Sequence, residues 1–491
     1  MNKQKNGLVR RPALLIASLL TVSTYSTAAF AQTTELQDEP YSEVDNYSVS
    51  EPQPAFSATT EEVLAPFYWQ AANPDAASAG QALRQRLLQA LDRQPRLQAQ
   101  WAQEQESRLR IDEVRAERLP QVSMGLEQRN SLQEVNRNAF DSGNRLDAYV
   151  SVSQLLYDFG ASGERVDSAE LSARAQVWES RVSAEELVLD ALTAHFDVVR
   201  YQAQFAIAQD NLEQHQQILE DVSARRQGGA GSSADVLRAE SRLAEASAQQ
   251  TSLQGQLAQA QNRYQELFFQ VPTGLALPMF ELPEVPVIEA ALDDAITANA
   301  ELQRSLFDTD AAQAEARATQ ASQLPRLSAI VEGRQFNVDE PSESESDLAL
   351  RFQVDYQPYT GGAASSRSAQ AEQRAERAYQ EREALRRDLE ARLRTAFTDV
   401  KAQRELWKAQ SLNLEANVET LSAYRAQFGI GRRDLNDVLD AQRELFQSAT
   451  ALVDSRTNWE LARYRQLLLT GELLPALDID VLPEFRNQDN E

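Results

Sequence analysis

Two hydrophobic periodicities divide the chain. Short stretches in which apolar and polar residues alternate are followed by long stretches in which apolar residues recur at helical spacing. A period of two is typical of a β-strand with one apolar face, and a spacing near 3.6 is typical of an amphipathic helix. The chain therefore predicts strands and long helices in a repeating order.

Four alternating stretches form two pairs, each joined by a polar segment, Arg129 to Arg145 or Gln335 to Ser346, that predicts a solvent-facing loop. About ten residues suffice to cross a bilayer as a tilted strand. A sheet packed on a protein core would show the same alternation, so a soluble sheet stays open at this point. The alternating apolar residues are Val122, Met124 and Leu126, then Leu146, Ala148, Val150 and Val152, and in the second pair Leu327, Ala329 and Val331, then Leu348, Leu350, Phe352, Val354 and Tyr356.

The helical stretches are unusually long. From Gly163 to Gln227 and from Ala363 to Gln427 the chain contains no proline and no internal glycine, which allows roughly 95 Å of continuous helix at about 1.5 Å per residue. Such lengths are typical of coiled coils. Glycine-containing turns at 228–231 and 429–431 then break the pattern, and it resumes through Phe268 and Leu469, so two long helical hairpins are predicted.

Short motifs recur in the same order, which indicates an internal repeat. Leu119-Pro120-Gln121 returns as Leu324-Pro325-Arg326, Tyr157-Asp158-Phe159-Gly160-Ala161 as Tyr359-Thr360-Gly361-Gly362-Ala363, and Asp235-Val236-Leu237 as Asp437-Val438-Leu439. The predicted organisation is a signal peptide (1–31), an acidic disordered extension (32–76), a first repeat (77–271), a Pro-rich linker (272–291), a second repeat (292–474) and a C-terminal tail (475–491).

The first residues have the features of an export signal. Basic residues precede an apolar run from Ala13 to Leu20, and Ala29-Phe30-Ala31 provides a cleavage pattern, which predicts a mature protein starting near Gln32. The alternative, a membrane anchor, is disfavoured because the run is shorter than the roughly 20 residues that a spanning helix needs. The acidic segment that follows, without Lys or Arg up to Leu83, predicts a solvated tail, with docking as the other reading.

Charge and residue content exclude several functions. The net charge of −26, which becomes −30 when the four basic signal residues are removed, is unsuited to binding nucleic acid. The absence of cysteine excludes disulfides, thiolate metal sites and an N-terminal lipid anchor. His195 and His215 lie in helical patterns, where a structural or a solvent-facing role is favoured over a metal site. We expect no enzymatic activity, cofactor or metal, because no nucleophile–base pair, phosphate loop or ligand spacing is visible.

The mean hydropathy is −0.50, and no later stretch predicts a membrane-spanning helix, so a membrane could be crossed only by the strands. Four strands cannot close a barrel, and open edges in lipid cost several kcal/mol per unpaired backbone group. If the strands are transmembrane, the chain must therefore oligomerise, and three copies would give twelve strands. The predicted fold is α+β, with two internal structural repeats, in which a trimer contributes a membrane-spanning β-barrel, four strands per chain, that continues as a long α-helical coiled-coil barrel in the periplasm.

Two motifs carry a specific resemblance. The run from Phe428 to Gln442, FGIGRRDLNDVLDAQ, resembles the second-repeat tip signature of the TolC family of outer membrane efflux and type I secretion channels. The run from Gln154 to Gly160, with its echo from Tyr359 to Gly362, resembles that family's strand-to-helix junction. The resemblance extends from about Ala77 to Leu474.

The resemblance implies a homotrimeric outer membrane channel with a large periplasmic portion and no enzymatic activity. Such a channel is the exit duct of a tripartite export system for type I protein secretion or multidrug efflux. Its periplasmic tip opens when a periplasmic adaptor and an inner-membrane ABC or proton-driven transporter engage it. The missing lipidation cysteine favours the TolC or type I secretion branch. The alternative from another class is a soluble periplasmic coiled-coil scaffold.

The tip residues follow from the same resemblance. It places selectivity carboxylates at Asp437 and Asp440, which stand three apart on one helical face, and a gate residue at Arg433. Asp235 is the candidate acid for Arg433 on a neighbouring hairpin. Phe428 occupies the place of a family tyrosine. A local reading competes for the acids, because Asp434 could cap its helix and Asp437 could favour the helix's positive end. The turn residues Gly228, Gly229, Gly231, Gly429, Gly431 and Arg432 are the predicted adaptor docking points.

Overall fold

The structure, a computed structural model, describes residues 55–69, 76–130, 144–278, 280, 282–283, 288–339 and 344–480. Its two repeats have the same order of elements: two helices, two strands and a long helical hairpin. A short helix α1 (Ala58–Leu64) precedes them, and α10 (Leu473–Ala476) follows them. The first repeat comprises α2 (Ala76–Arg93), α3 (Pro95–Ala116), β1 (Gln121–Asn130), β2 (Asn144–Tyr157), α4 (Ala161–Gln227) and α5 (Ser233–Phe268); the second comprises α6 (Ile288–Ala298), α7 (Ala300–Ala321), β3 (Arg326–Phe336), β4 (Glu345–Asp355), α8 (Ala363–Gly429) and α9 (Leu435–Thr470).

The hairpin helices have matching lengths in the two repeats. Helices α4 and α8 each contain 67 residues, and α5 and α9 each contain 36. At about 1.5 Å per residue the longer pair extends for roughly 100 Å. Each long helix starts after a glycine with positive φ, Gly160 (89°) or Gly362 (87°). Glycine adopts this conformation readily because it has no Cβ that would clash with the backbone. The predicted α+β fold with two repeats and coiled-coil hairpins is confirmed.

The four strands form one antiparallel sheet in the order β1-β2-β3-β4. The register aligns Val122 with Val152, Val152 with Val331 and Val331 with Leu350, so an apolar row crosses the whole sheet. The outer strands present this row to the surroundings: Val122 is 64% exposed and Leu350 is 62% exposed. One face of the sheet is thus apolar and uncovered within a single chain.

The opposite face of the sheet carries charges. The Arg334 guanidinium lies 3.1 Å from both the Glu127 and the Glu332 carboxylates, and Arg351 pairs with Glu332 at 2.9 Å. The Tyr149 ring lies against Gly125, where any Cβ would approach the ring to 2.8 Å. Gly125 is therefore required for the close approach of this ring. Because of the ion pairs, this face of the sheet is polar, whereas the other face is apolar.

The segment from Ala55 to Trp69, called here the N-terminal strap, corrects one prediction. The prediction of a disordered acidic extension over 32–76 is wrong for these residues, because they form α1 and a 3₁₀ turn (Ala65–Phe67) with a buried apolar side. Apolar side chains between the acidic residues hold the segment against the protein. The prediction missed them because it was based on the excess of acidic residues. Residues 1–54, including the predicted signal peptide, lie outside the described part of the chain.

The strap is fastened to both repeats. The Ser57 backbone N–H donates to the Asp210 carboxylate on α4 at 3.2 Å. The Trp407 indole N–H on α8 donates to the Phe67 carbonyl at 2.6 Å, and the Trp407 ring packs edge-on against Trp69 with centroids 4.6 Å apart. The strap therefore joins the long helices of the two hairpins, roughly 25 Å from the turn that ends α4, at about 1.5 Å per residue.

Two domain boundaries also differ from their predicted positions. The linker predicted over 272–291 is shorter, because α6 begins at Ile288. The tail predicted from residue 475 begins as packed structure: α10 extends to Ala476, and Leu477 and Ile479 are buried. None of the helices within the described part of the chain combines the length and the hydropathy that a membrane span requires.

Candidate functional site at the hairpin tips

The first tip is closed by a capping box at the start of α5. The Ser232 hydroxyl accepts a hydrogen bond from the Ala234 backbone N–H at 3.1 Å, and the Asp235 carboxylate accepts one from the Ser232 backbone N–H at 3.3 Å. Gly231 has no room for a side chain, since a Cβ would lie 2.9 Å from the Arg226 nitrogen. Asp235 thus has a local structural function in addition to its predicted place at the gate.

The second tip has a looser start to its helix. Gly431 adopts a φ of 72°, the left-handed region that favours glycine. Asp434 occupies the N-cap position of α9 but makes no side-chain hydrogen bond to the cap. The alternative interpretation of Asp434 as a side-chain cap is therefore not supported. Asp437 does lie in the first turn of α9, where its charge is favourable next to the helix N-terminus.

Arg433 is held on its own hairpin. Its guanidinium pairs with the Asp437 carboxylate at 3.2 Å and lies 3.8 Å from the centroid of the Tyr424 ring. Among the described residues it pairs with Asp437 and not with Asp235, although Arg433 and Asp235 both line one cavity of about 380 Å³ between the two turns. The two predicted partners are brought to the same cavity without touching.

Phe428 connects the two turns. The Arg225 guanidinium at the end of α4 lies 4.2 Å from the centroid of the Phe428 ring and donates to the Phe428 carbonyl at 3.3 Å. The ring thus receives a cation–π contact where a tyrosine hydroxyl would offer a hydrogen bond. Arg225 was missed by the sequence reasoning; its only signal is a position in the last turn of a helix, where a basic side chain is common.

The two candidate selectivity carboxylates are both partly exposed, with 42% of the Asp437 side chain and 51% of the Asp440 side chain accessible. Asp437 is paired with Arg433, as described above. Asp440 lies 3.3 Å from the Arg443 guanidinium and 3.8 Å from that of Arg242 on α5. Each candidate acid therefore has an arginine partner within one chain.

A buried polar layer connects the two hairpins, a few helical turns from the tip in the direction of the sheet. The Arg425 guanidinium on α8 donates to Gln214 on α4 at 2.8 Å and to Gln442 on α9 at 2.7 Å. The Gln442 amide donates in turn to Asn211 on α4 at 3.0 Å. Burial lowers the pKa of Arg425, and the nearby Asp210 carboxylate opposes that shift. This layer was not predicted, because three helices must be assembled before its members meet.

The chain matches a known protein family over most of its length, which defines its class. The family model described as outer membrane efflux protein matches residues 87–267 and 291–472, so it covers most of the chain. The chain belongs to the outer membrane efflux protein family. Its members are channels of the outer membrane with a large periplasmic helical portion, and this chain is an outer membrane export channel of the TolC type.

Individual relatives agree with this assignment. The outer membrane protein TolC of Vibrio cholerae is 26% identical over 422 residues, covering 79% of this chain and 89% of the relative. Among solved structures, the outer-membrane channel OprN matches with a TM-score of 0.72 and 19% identity, covering 87% of this chain and 98% of that one. The open state of the MtrE outer membrane channel of Neisseria gonorrhoeae matches with a TM-score of 0.69 and 18% identity, covering 80% and 89% of the two chains.

Proposed function

We propose that three copies of this chain form the exit duct of a tripartite export machine. The observation that carries the proposal is the four-stranded sheet, which is apolar and uncovered on one face and ends in two open edges, β1 and β4. Twelve strands from three chains would pair every edge and bury the apolar face in lipid. The helical hairpins would then continue as a periplasmic cylinder.

The partners of such a machine follow from this arrangement. A periplasmic adaptor would meet the hairpin turns, and an inner-membrane transporter, either ABC-type or proton-driven, would supply the energy. The duct itself would conduct cargo passively and perform no catalytic step. Type I protein secretion and multidrug efflux both fit this role, because cargo is chosen by the inner-membrane pump.

The gate is proposed at the tip. Arg433, Asp437, Asp235 and Phe428 surround or adjoin the cavity between the two turns, and the pair Arg433–Asp437 keeps the second turn folded back on α9. In a trimer, rearrangement of Arg433 towards Asp235 of an adjacent hairpin would change the bore. Rings of Asp437 and of Asp440 from three chains would line the bore as its candidate selectivity carboxylates.

The adaptor docking surface is proposed at the turns themselves. Residues 228–231 and 429–432 are exposed, except for Gly231, which is partly exposed, and they lie at the end of the hairpins furthest from the sheet. Small residues there leave room for the helical hairpin tips of a partner. Gly228, Gly229, Gly231, Gly429, Gly431 and Arg432 form this proposed surface.

Edge-to-edge crosslinking tests the trimer directly. The chain contains no cysteine, so a cysteine at Ser123 in β1 can be combined with one at each position of β4 in turn. At least one combination should give covalent trimers in the outer membrane fraction, which should resist extraction with high salt. Release by salt as a monomer, with no crosslinked product for any combination, would support the soluble scaffold instead.

A further inference from the structure

We infer that Arg242 and Arg443 determine the ion selectivity of the tip by neutralising Asp440. The inference rests on the proposed place of Asp440 at the bore, and it goes further because it assigns a selectivity function to two arginines outside the gate motif. Arg443 follows Asp440 by one helical turn on α9, whereas Arg242 comes from α5 of the other repeat.

The geometry at Asp440 is that of a shared carboxylate. One oxygen of Asp440 lies 3.3 Å from a terminal nitrogen of Arg443 and 3.8 Å from a terminal nitrogen of Arg242. Arg242 is also held at 2.8 Å by Glu245, three residues along its own helix. This bond fixes the Arg242 side chain next to α9 and limits its freedom to swing away from Asp440.

A third arginine adds to the positive charge. Arg238 lies one turn before Arg242 on α5 and lines the same cavity of about 410 Å³, together with Asp440 and Asn436. The charged residues that line this groove between α5 and α9 are Arg238, Arg242 and Asp440, which together give it a net charge of +1. In a chain whose overall charge is −26, the groove is a local reversal of sign.

The neutralisation has a direct electrostatic consequence. A ring of unpaired carboxylates concentrates cations by summing three like charges, but a carboxylate paired with arginine presents a dipole whose field falls off faster. Because the ion pairs are half exposed, salt screens them over about 10 Å at 0.1 M, so the effect is strongest at low ionic strength. Asp440 should then contribute little cation preference until its arginines are removed.

The test is a double-mutant cycle on ion selectivity. The purified protein is inserted into planar bilayers, and the K⁺/Cl⁻ permeability ratio is obtained from reversal potentials in a KCl gradient. The combined change Arg242→Gln and Arg443→Gln should raise this ratio at least threefold and strengthen block by hexaamminecobalt(III) added on the periplasmic side. Arg263→Gln, which removes a comparable pair with Glu266 on the same helix far from the tip, is the matched control.

Asp440→Asn is then compared in both backgrounds. Asp440→Asn should lower the permeability ratio in both proteins. The absolute decrease should be at least threefold larger in the Arg242→Gln, Arg443→Gln protein than in the wild type. Equal reductions in both backgrounds would overturn the neutralisation while leaving Asp440 at the bore. No reduction in either background would overturn it as well and would remove Asp440 from the proposed conduction path.

Discussion

Arg433 carries two contacts that a substitution would separate. Its charge balances Asp437 at 3.2 Å, and its flat guanidinium covers the Tyr424 ring at 3.8 Å. A partly exposed ion pair of this kind stabilises by no more than about 1 kcal/mol, and a cation–π contact adds about 0.5–1 kcal/mol. Arg433 therefore contributes little to the stability of the protein. Its importance lies in fixing the position of the second turn.

We expect Arg433→Ser to raise the single-channel conductance of the trimer in planar bilayers, because the second turn loses both contacts that fold it back. Asp235→Ala should act in the same direction, with an added cost of about 1 kcal/mol from the lost capping box. Arg394→Ser, which removes a surface pair with Glu390 far from the tip, is the control. Conductance that stays at the wild-type value in both tip variants would contradict the gate assignment.

Residue-level sequence reasoning found the tip acids and Arg433 through one motif, but it could not find their partners. Arg225 and Arg242 belong to the first repeat, some two hundred positions away from Phe428 and Asp440. Their contacts depend on how two hairpins lie side by side, which periodicity does not specify. The pairing of Arg433 with Asp437 is different: it was missed as well, although the spacing of four residues would have suggested it.

At the scale of single elements, the helices and strands were predictable because their patterns are long and uninterrupted. The predicted run from Ala363 to Gln427 differs from α8 by two residues at one end. The strap was missed for the opposite reason. Phe56, Leu64 and Phe67 are too few to form a periodic pattern, and only the groove on the long helices gives them a place to bury.

The glycine of the second turn provides an element-scale prediction. Gly431→Trp should abolish export in a strain that depends on this protein, because the side chain would fill the proposed adaptor surface. Its positive φ adds a strain of about 1–2 kcal/mol, which a large trimer tolerates. Growth in bile salts and the amount of trimer in the outer membrane are the two measurements.

Gly431→Asn separates shape from strain, since asparagine accepts the left-handed conformation better than most residues do. This variant should keep most of the export activity. If the tryptophan variant exports normally with a normal amount of trimer, the turn is not a docking point.

For the whole molecule, the two buried histidines make stability depend on pH. Burial lowers the pKa of both His195 and His215 from 6.5 to about 4, and His195 is further fixed by a hydrogen bond to the Ala276 carbonyl at 3.1 Å. Between these values the unfolded chain binds a proton that the folded chain refuses. The free energy of unfolding should therefore fall as the pH is lowered from 6.5 to 4, by on the order of 3 kcal/mol per histidine.

The thermal midpoint measured at several pH values checks this prediction, with the variant His195→Gln, His215→Gln as reference. The reference is needed because burial raises the pKa of carboxyl groups such as Glu185 and Asp210, which favours the folded state on acidification. The difference between the two proteins isolates the histidines. An identical pH slope in both would show that the imidazoles are not shielded in the folded protein.

The strap has a consequence for the order in which the chain assembles. Its residues come early in the polypeptide, yet part of their binding site is made by Trp407 on α8, which lies 340 residues after Phe67. The last part of the strap therefore stays without its partner until the second hairpin has been made. A nascent chain stopped before α8 would contain Asp210 to bind Ser57, but it would leave Phe67 and Trp69 without Trp407.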